Sequence, residues 1–267
     1  MTSTTAPAAG GAFAGERQRE IAHIVEEQGR ARVTELSERF GVSAVTIRKD
    51  LDVLAEADRL IRTHGGAIAA RMSRGDMAFD VRDRLQRDEK AAIGALAAAH
   101  VSNGESIILD ASTTGLYLAR ELLKREAWHG LTVVTNSIHA AMELAARPDI
   151  TVLLMGGRVR SSLSVVGQLG DAVFDRINVQ KAFLSSAGFS FEEGLTEARE
   201  EEAQIKRAMV AAAHEVCAII DHSKWGRVAS ATFCEVKGLT RVFTDEAAPA
   251  DMVGSLRGMG IEVTQHG

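Results

Sequence analysis

The stretch Val33-Thr-Glu-Leu-Ser-Glu-Arg-Phe-Gly-Val-Ser-Ala-Val-Thr-Ile-Arg-Lys-Asp-Leu51 holds two helical patterns divided by a three-residue turn. Thr34 can cap the first helix, Gly41-Val42-Ser43 makes the turn, and Ser43 can cap a second helix over Ala44–Ala57. In that second helix Ile47, Leu51 and Leu54 recur at i, i+4 and i+7 and share one face, while Val45, Arg48, Lys49 and Asp52 fall on the other. A short helix, a Gly-containing turn and a helix that shows Arg and Lys in its first turns form the helix-turn-helix pattern. Upstream, Arg17–Gln28 sets Ile21, Ile24 and Val25 on one helical face. Downstream, Leu60–Ala69 predicts a β-hairpin, or wing, about His64-Gly65-Gly66. A small three-helix bundle with a solvated charged face fits the same periodicity.

The chain of 267 residues has room for two domains. With 46% hydrophobic and 25% charged residues it falls in the globular range, which excludes disorder as the main state and excludes fibrous repeats. Aromatic residues make up only 4%, so the core has to be built from Ala, Val, Ile and Leu. Two cysteines, Cys217 and Cys234, cannot staple a chain of this size; a reducing, cytoplasmic setting is expected, with both thiols packed rather than reactive. The eight histidines show no metal-ligand spacing, so no metal site is expected. The longest apolar stretches, Ile150–Met155 and Ala91–Ala99, fall well short of the roughly 20 residues a bilayer requires. Residues 1–15 read as a flexible tail, with no basic residue before Arg17 and no apolar block of a secretory leader.

The formal net charge of −5 argues against a general polyanion binder, but residues 1–75 carry +1 and the remainder −6, so a nucleic-acid face is expected to be local and N-terminal. The polar, charge-rich stretch Arg71–Lys90 marks a boundary near Gly75, which gives residues 16–75 as one domain and 76–267 as another. From Asp88 onward helical runs alternate with short apolar strands. The strands are read at Ser106–Asp110, Leu131–Thr135, Ile150–Met155, Lys181–Ser185, Val216–Ile220, Arg241–Thr244 and Ile261–Thr264, and a long helix at Glu197–Glu215. Continuous apolar strands between helices indicate an α/β fold with a mostly parallel sheet covered on both faces.

The words Val33–Ser43, then Thr46-Ile-Arg-Lys-Asp-Leu51, then Arg62-Thr-His-Gly-Gly-Ala67 resemble the DeoR family of bacterial transcriptional repressors, and the resemblance runs on through the second domain. It implies a winged helix-turn-helix that binds double-stranded operator DNA, followed by a sugar-phosphate-sensing α/β domain related in fold to ribose phosphate isomerase. On the DNA side Ser43, Thr46 and Lys49 are expected on phosphates, Arg48 on a base edge, Val45 on the same exposed face, and Arg62 and His64 of the wing on the backbone.

Asp110-Ala-Ser-Thr-Thr114 ends a strand and begins a helix, where N–H groups and the hydroxyls of Ser112, Thr113 and Thr114 can cradle a phosphate or merely cap the helix. The family's commoner wording there is Asp-Ser-Gly-Thr-Thr, so Ala111-Ser112 departs from it. A second departure is Gln180, where the family often carries Asp. The resemblance adds Asn136, Gly156 and Gly157 at strand ends, and Lys206, Ser223 and Lys224 as effector-site residues, the two lysines supplying charge against a phosphate. A phosphorylated sugar effector, no cofactor and a homodimer or homotetramer are expected. A sugar-phosphate isomerase-like enzyme with an accessory N-terminal domain is the rival reading, because Asp110, Glu197 and Asp221 offer carboxylates for proton transfer.

Overall fold

The apolar faces of the first three helices close on one another in the computed structural model, which describes residues 14–28, 30–56, 59–63, 65–69 and 79–266. The chain divides into two units, Met1–Ser73 and Arg74–Gly267. In the first, α1 (Ala14–Gln28), α2 (Val33–Phe40) and α3 (Ala44–Glu56) pack Ile21, Val25, Leu36, Ile47 and Leu51 into one buried cluster. Strands β1 (Arg30–Arg32), β2 (Leu60–Thr63) and β3 (Gly66–Ala69) form an antiparallel sheet in the order β1-β3-β2. The hairpin β2–β3 is the wing; β1 is an additional strand, Arg30 opposite Ile68.

Helix α2 begins one residue before the expected cap. Arg32 holds the N-cap position in extended backbone and its N–H donates to Glu35 Oε2 at 3.0 Å, so Thr34 lies inside the first turn. Gly41 ends α2 in the left-handed region at φ +64°, where its N–H reaches Ser37 O, and this sharp reversal sets the turn between the helices. Ser43 caps α3 as read from the sequence, its Oγ accepting from Thr46 N at 3.2 Å. The buried Asp50 of α3 accepts from Arg17 Nε at 2.6 Å and from Gln18 Nε2 at 3.0 Å, which locks α1 to α3.

The second unit opens with α4 (Phe79–Arg84) and α5 (Arg87–Ala99). It continues through β4 (Ser106–Leu109), α6 (Thr113–Lys124), β5 (Leu131–Thr135), α7 (Ile138–Leu144) and β6 (Ile150–Leu154). A small hairpin, β7 (Arg158–Val159) and β8 (Val165–Val166), precedes α8 (Gln168–Phe174) and β9 (Val179–Leu184). Then come β10 (Gly188–Ser190), β11 (Gly194–Glu197), α9 (Glu200–Ala211), β12 (Ala213–Ile219), β13 (Ala231–Cys234), β14 (Arg241–Asp245), α10 (Ala250–Gly258) and β15 (Glu262–His266).

Seven strands form a parallel sheet in the order β15-β14-β12-β9-β4-β5-β6. Side chains alternate along each strand, so Ile107, Leu109, Val133 and Phe183 pack under α5 and α6 while Ile108, Val134 and Leu184 pack under α9. The chain leaves β4 toward β6, then crosses back to β9 on the other flank of β4. The C-terminal ends of β4 and β9 are therefore a topological switch point, where open α/β sheets leave a crevice.

One local reading changes. The long helix expected over Glu197–Glu215 is only Glu200–Ala211. Glu197 belongs to β11 opposite Ala231, and β12 starts at Ala213 because parallel pairing with Val179 captures that segment. Strands β10, β11 and β13 form a separate antiparallel sheet, with Cys234 in β13.

Candidate functional site

Parallel pairing of β4 with β9 delivers Asp110 and Ser185 side by side at the switch point. Asp110 is fully buried. Its Oδ1 accepts from Ser112 N at 3.2 Å and Ser112 Oγ at 2.5 Å, and its Oδ2 accepts from Ser185 N at 2.9 Å. Lys206, projecting from α9 and also buried, sets Nζ 2.8 Å from Asp110 Oδ2, 2.5 Å from Glu197 Oε1 and 2.7 Å from Ser185 O. Burial by itself pulls the ammonium pKa down, and the fields of Asp110 and Glu197 outweigh it, raising that pKa above the ordinary lysine value. Three acceptors for three N–H bonds mean that Lys206 holds the site together; its charge is spent on protein carboxylates.

The turn after β4 is built by Ser112. Its backbone is extended, at φ −86° and ψ 160°, and its Oγ accepts from Gly115 N at 2.9 Å. Any residue adopts that conformation, so the departure from glycine at position 112 leaves the loop intact. Gly115 has no such latitude, since a Cβ there would stand 2.9 Å from Asp110 O. The first N–H groups of a helix have no acceptor within it, and the first residues of α6, Thr113 and Thr114, line the cleft floor. The end of β12 repeats the device: Asp221 Oδ1 accepts from Ser223 N at 3.0 Å and from Ser223 Oγ. The single 3-10 turn that follows, His222–Lys224, is fastened to β14 by His222 N donating to Asp245 Oδ2 at 2.6 Å, and it presents Lys224 to the same cleft.

The cleft has a volume of about 780 Å³ including its open mouth. Its floor is Ala111–Thr114 and Ser185–Ala187. Its walls bring six cationic side chains, Arg82, Lys90, Arg160, Arg199, Lys206 and Lys224, against three carboxylates, Glu197, Glu202 and Asp221. With Asp110 directly beneath counted as the buried partner of Lys206, six cations against four carboxylates leave a local charge of +2 in a chain of net −5, which favours anions. Arg160 Nη1 is 2.7 Å from Glu202 Oε1, which also accepts from Ser164 Oγ at 2.6 Å. Arg82 stands in the field of Glu197, Glu202 and Asp110; burial nonetheless pulls its guanidinium pKa below the ordinary value, with Arg160 adding to the fall.

Of the residues expected from the sequence, Ser112, Thr113, Thr114, Lys206 and Lys224 line this cleft and Asp110 lies directly beneath it. Ser223 flanks Lys224 and is turned to Asp221. Asn136 is buried elsewhere, its Nδ2 donating to Val165 O at 3.1 Å and so tying β8 to the end of β5. Gly156 and Gly157 are exposed in the turn between β6 and β7, outside the cleft lining. Gln180 accepts from Ser106 N at 2.7 Å at the opposite, N-terminal end of β4. Arg82, Gln86, Arg160 and Ser186 were not anticipated. Arg160 carried a signal in Gly156-Gly-Arg-Val-Arg160; Arg82 and Gln86 fall in a stretch that reads as linker.

In the N-terminal unit α3 buries Ile47 and Leu51 and exposes Val45, Arg48 and Lys49, with Val45 59% accessible. Ser43 and Thr46 stand together at its start, Oγ to Oγ1 at 2.9 Å. Arg62 Nε donates to Asp52 Oδ1 at 2.7 Å and its Nη1 to Gly66 O at 2.8 Å, so Arg62 braces the wing against α3. His64 lies outside the described residues.

Residues 17–72 match the DeoR-like helix-turn-helix domain and residues 85–246 the DeoR C-terminal sensor domain. The uncharacterized HTH-type transcriptional regulator YulB of Bacillus subtilis is 36% identical over 93% of this chain and 95% of its own length. The glycerol-3-phosphate regulon repressor of Escherichia coli is 32% identical over 89% of this chain and 93% of its own. Ribose 5-phosphate isomerase A of Methanocaldococcus jannaschii aligns over 52% of this chain and 55% of its own, at 20% identity and a TM-score of 0.39. With both units matched along nearly the whole described length, the chain belongs to the DeoR family of helix-turn-helix transcriptional regulators.

Proposed function

We propose that the protein represses a carbohydrate-utilisation operon and that a phosphorylated sugar, bound in the cleft at the β4/β9 switch point, releases or modulates it. The observation that carries this reading is the cleft of net +2, floored by a helix start and five hydroxyl side chains counted over Ser112–Thr114 and Ser185–Ser186. Helix N–H groups and fixed cations favour a phosphate dianion, and hydroxyls suit a polyol. Asn136, Gly156 and Gly157 are left to the sheet edge in this reading, with Ser223 supporting Lys224.

Turnover is disfavoured by the same geometry. A general base needs an accessible lone pair, whereas Asp110 is fully buried and takes hydrogen bonds from Ser112, Ser185 and Lys206, Glu197 is ion-paired with Lys206, and Asp221 is fully buried and accepts from Ser223. The protein then acts as a regulator without enzymatic activity, in the cytoplasm where operator DNA lies. Among the described residues no helix is long and apolar enough to cross a membrane. A homo-oligomer, dimer or tetramer, supplies paired half-site contacts. Exposed Met142, Leu153 and Leu154 beside the outer edge of β6 support association through the sensor unit.

The test is calorimetry of the full chain against sugars and their phosphates, glycerol 3-phosphate included, in wild type and Lys224→Ala. Binding of the phosphate esters alone, weakened at least tenfold by the substitution, is expected. Equal binding of a sugar and its phosphate ester overturns the reading, and measurable conversion of either restores the enzyme.

A further inference from the structure

The segment between the DNA-binding unit and the sensor sheet carries groups that no ligand-free reading explains. Among the described residues, buried side-chain atoms of the cleft lining without a hydrogen-bond partner include Arg82 Nε, Gln86 Oε1 and Ser186 Oγ. Buried polar atoms are nearly always satisfied, so three orphans around one cleft mark places where a bound molecule completes the set. Two of the three belong to the short stretch from α4 to the start of α5. Gln86 is also one of two non-glycine residues with positive φ among those described, at φ 45° and ψ 47°. A side chain held in that conformation stores strain, which is met most often at ligand sites.

The stretch is held to the sensor unit by identifiable contacts. Lys90 Nζ donates to the carbonyl oxygens of Arg82 and Leu85, and Phe79 stacks on His139 of α7 with ring centroids 4.2 Å apart. Arg82 is turned inward, among Glu197, Glu202 and Asp110, with Arg160 also facing it. Its chemistry is that of a planar fork suited to phosphate oxygens. Ser186 Oγ can donate to the same anion, and Gln86 Oε1 can accept only from a donor such as a sugar hydroxyl.

Building on the phosphorylated-effector reading, we propose that residues 79–86 form part of the effector site, with Arg82 and Ser186 taking the phosphate and Gln86 a hydroxyl of the same molecule. Effector occupancy is thereby read by the stretch of chain that follows the DNA-binding unit, and a ligand that binds only when α4 is seated shifts the regulator between two states by its differential affinity.

The experiment uses the full chain, with inorganic phosphate and glycerol 3-phosphate as probes. Affinity is measured by calorimetry, and amide hydrogen exchange of residues 79–86 is followed with and without saturating probe. In wild type the probes are expected to bind and to slow exchange in that stretch at least tenfold. Arg82→Gln is expected to lose at least tenfold in affinity for both probes and to lose the protection. Gln86→Ala is expected to weaken glycerol 3-phosphate while leaving inorganic phosphate within twofold. Lys224→Ala at saturation should keep the protection, which separates α4 from the rest of the site. Arg82→Lys guards against a misfolded variant, because it keeps the charge and should retain part of the affinity. Probe binding that is unchanged in Arg82→Gln, with exchange in 79–86 indifferent to ligand, overturns this proposal and leaves the effector reading standing. Absence of binding to wild type overturns both.

Discussion

Lys206 Nζ lies 2.8 Å from Asp110 Oδ2, with the two residues 4% and 0% exposed, at the point where the β4–α6 turn meets the end of β9. The pair joins α9 to the strand that carries the Ser112–Thr114 turn. A cation so placed decides the geometry of the cleft floor before any ligand arrives.

Replacing Lys206 by Met keeps the volume and leaves Asp110 and Glu197 without their common partner. Removing one member of a buried pair costs about 3–5 kcal/mol. Urea unfolding followed by circular dichroism should show a loss of that order in the sensor transition, and effector binding should fall with it. A variant as stable as wild type would mean that the two carboxylates are solvated or neutral in the fold.

A second buried pair controls the N-terminal unit. Asp50 receives Arg17 Nε at 2.6 Å on the inner face of α3, opposite Arg48 and Lys49. Asp50→Ala removes the carboxylate by which α3 holds Arg17 of α1 and should lower the stability of this unit by about 3 kcal/mol. Operator affinity should drop although no DNA-facing side chain has changed. Intact affinity and an unchanged melting profile would count against the locking role of the pair.

The exposed face of α3 is expected to enter the major groove. Arg48→Ala should cost about 1–3 kcal/mol of operator affinity and relax the preference at one base pair, while Lys49→Ala should weaken binding to all sequences and flatten the salt dependence. Fluorescence anisotropy on a selected duplex and its single-base variants reads both effects. Identical losses across all variants in Arg48→Ala would reassign that residue to the phosphate backbone.

Burial pushes the Cys217 thiol up to about 12 and that of Cys234 up to about 11, from an ordinary value of 9.0. Both should resist Ellman's reagent in the native protein at pH 8 and react together once urea unfolds it. The raised values also fix the sign of a pH effect. In the unfolded chain the thiols ionise near pH 9, and in the folded one only above pH 11, so their contribution is intact below pH 9 and is lost as pH rises from 9 to 12. Alanine at both positions should remove that alkaline slope.

Much of this organisation is legible without coordinates, for identifiable reasons. The strands of the large sheet are short apolar runs buried on both faces, so Ser106–Leu109 and Leu131–Thr135 announce themselves. The turn chemistry at Gly41–Ser43 and at Ser112 is local and equally plain. The antiparallel β10–β11 pair was within reach, since Phe189–Glu197 has the form of two strands about a short loop that ends in Gly194. What the sequence hides is long-range pairing. Lys206 reads as a charge for a phosphate until α9 sets it against Asp110 and Glu197, and Arg82 reads as linker until α4 is seated beside Glu197 and Glu202. Asn136 shows the converse, a strand-end residue of the expected type whose amide serves the fold by holding Val165.

The order of the parts along the chain has a consequence in time. The DNA-binding unit ends at Ser73, and its buried cluster is drawn entirely from residues before that point. The cleft needs Lys224, which follows Ser73 by 151 residues. At ribosomal rates of roughly 5–20 residues per second, about 8–30 s separate the emergence of the two. A nascent or prematurely released chain can therefore possess a folded helix-turn-helix unit before its cleft is complete, and in the proposed reading response to an effector waits on full synthesis.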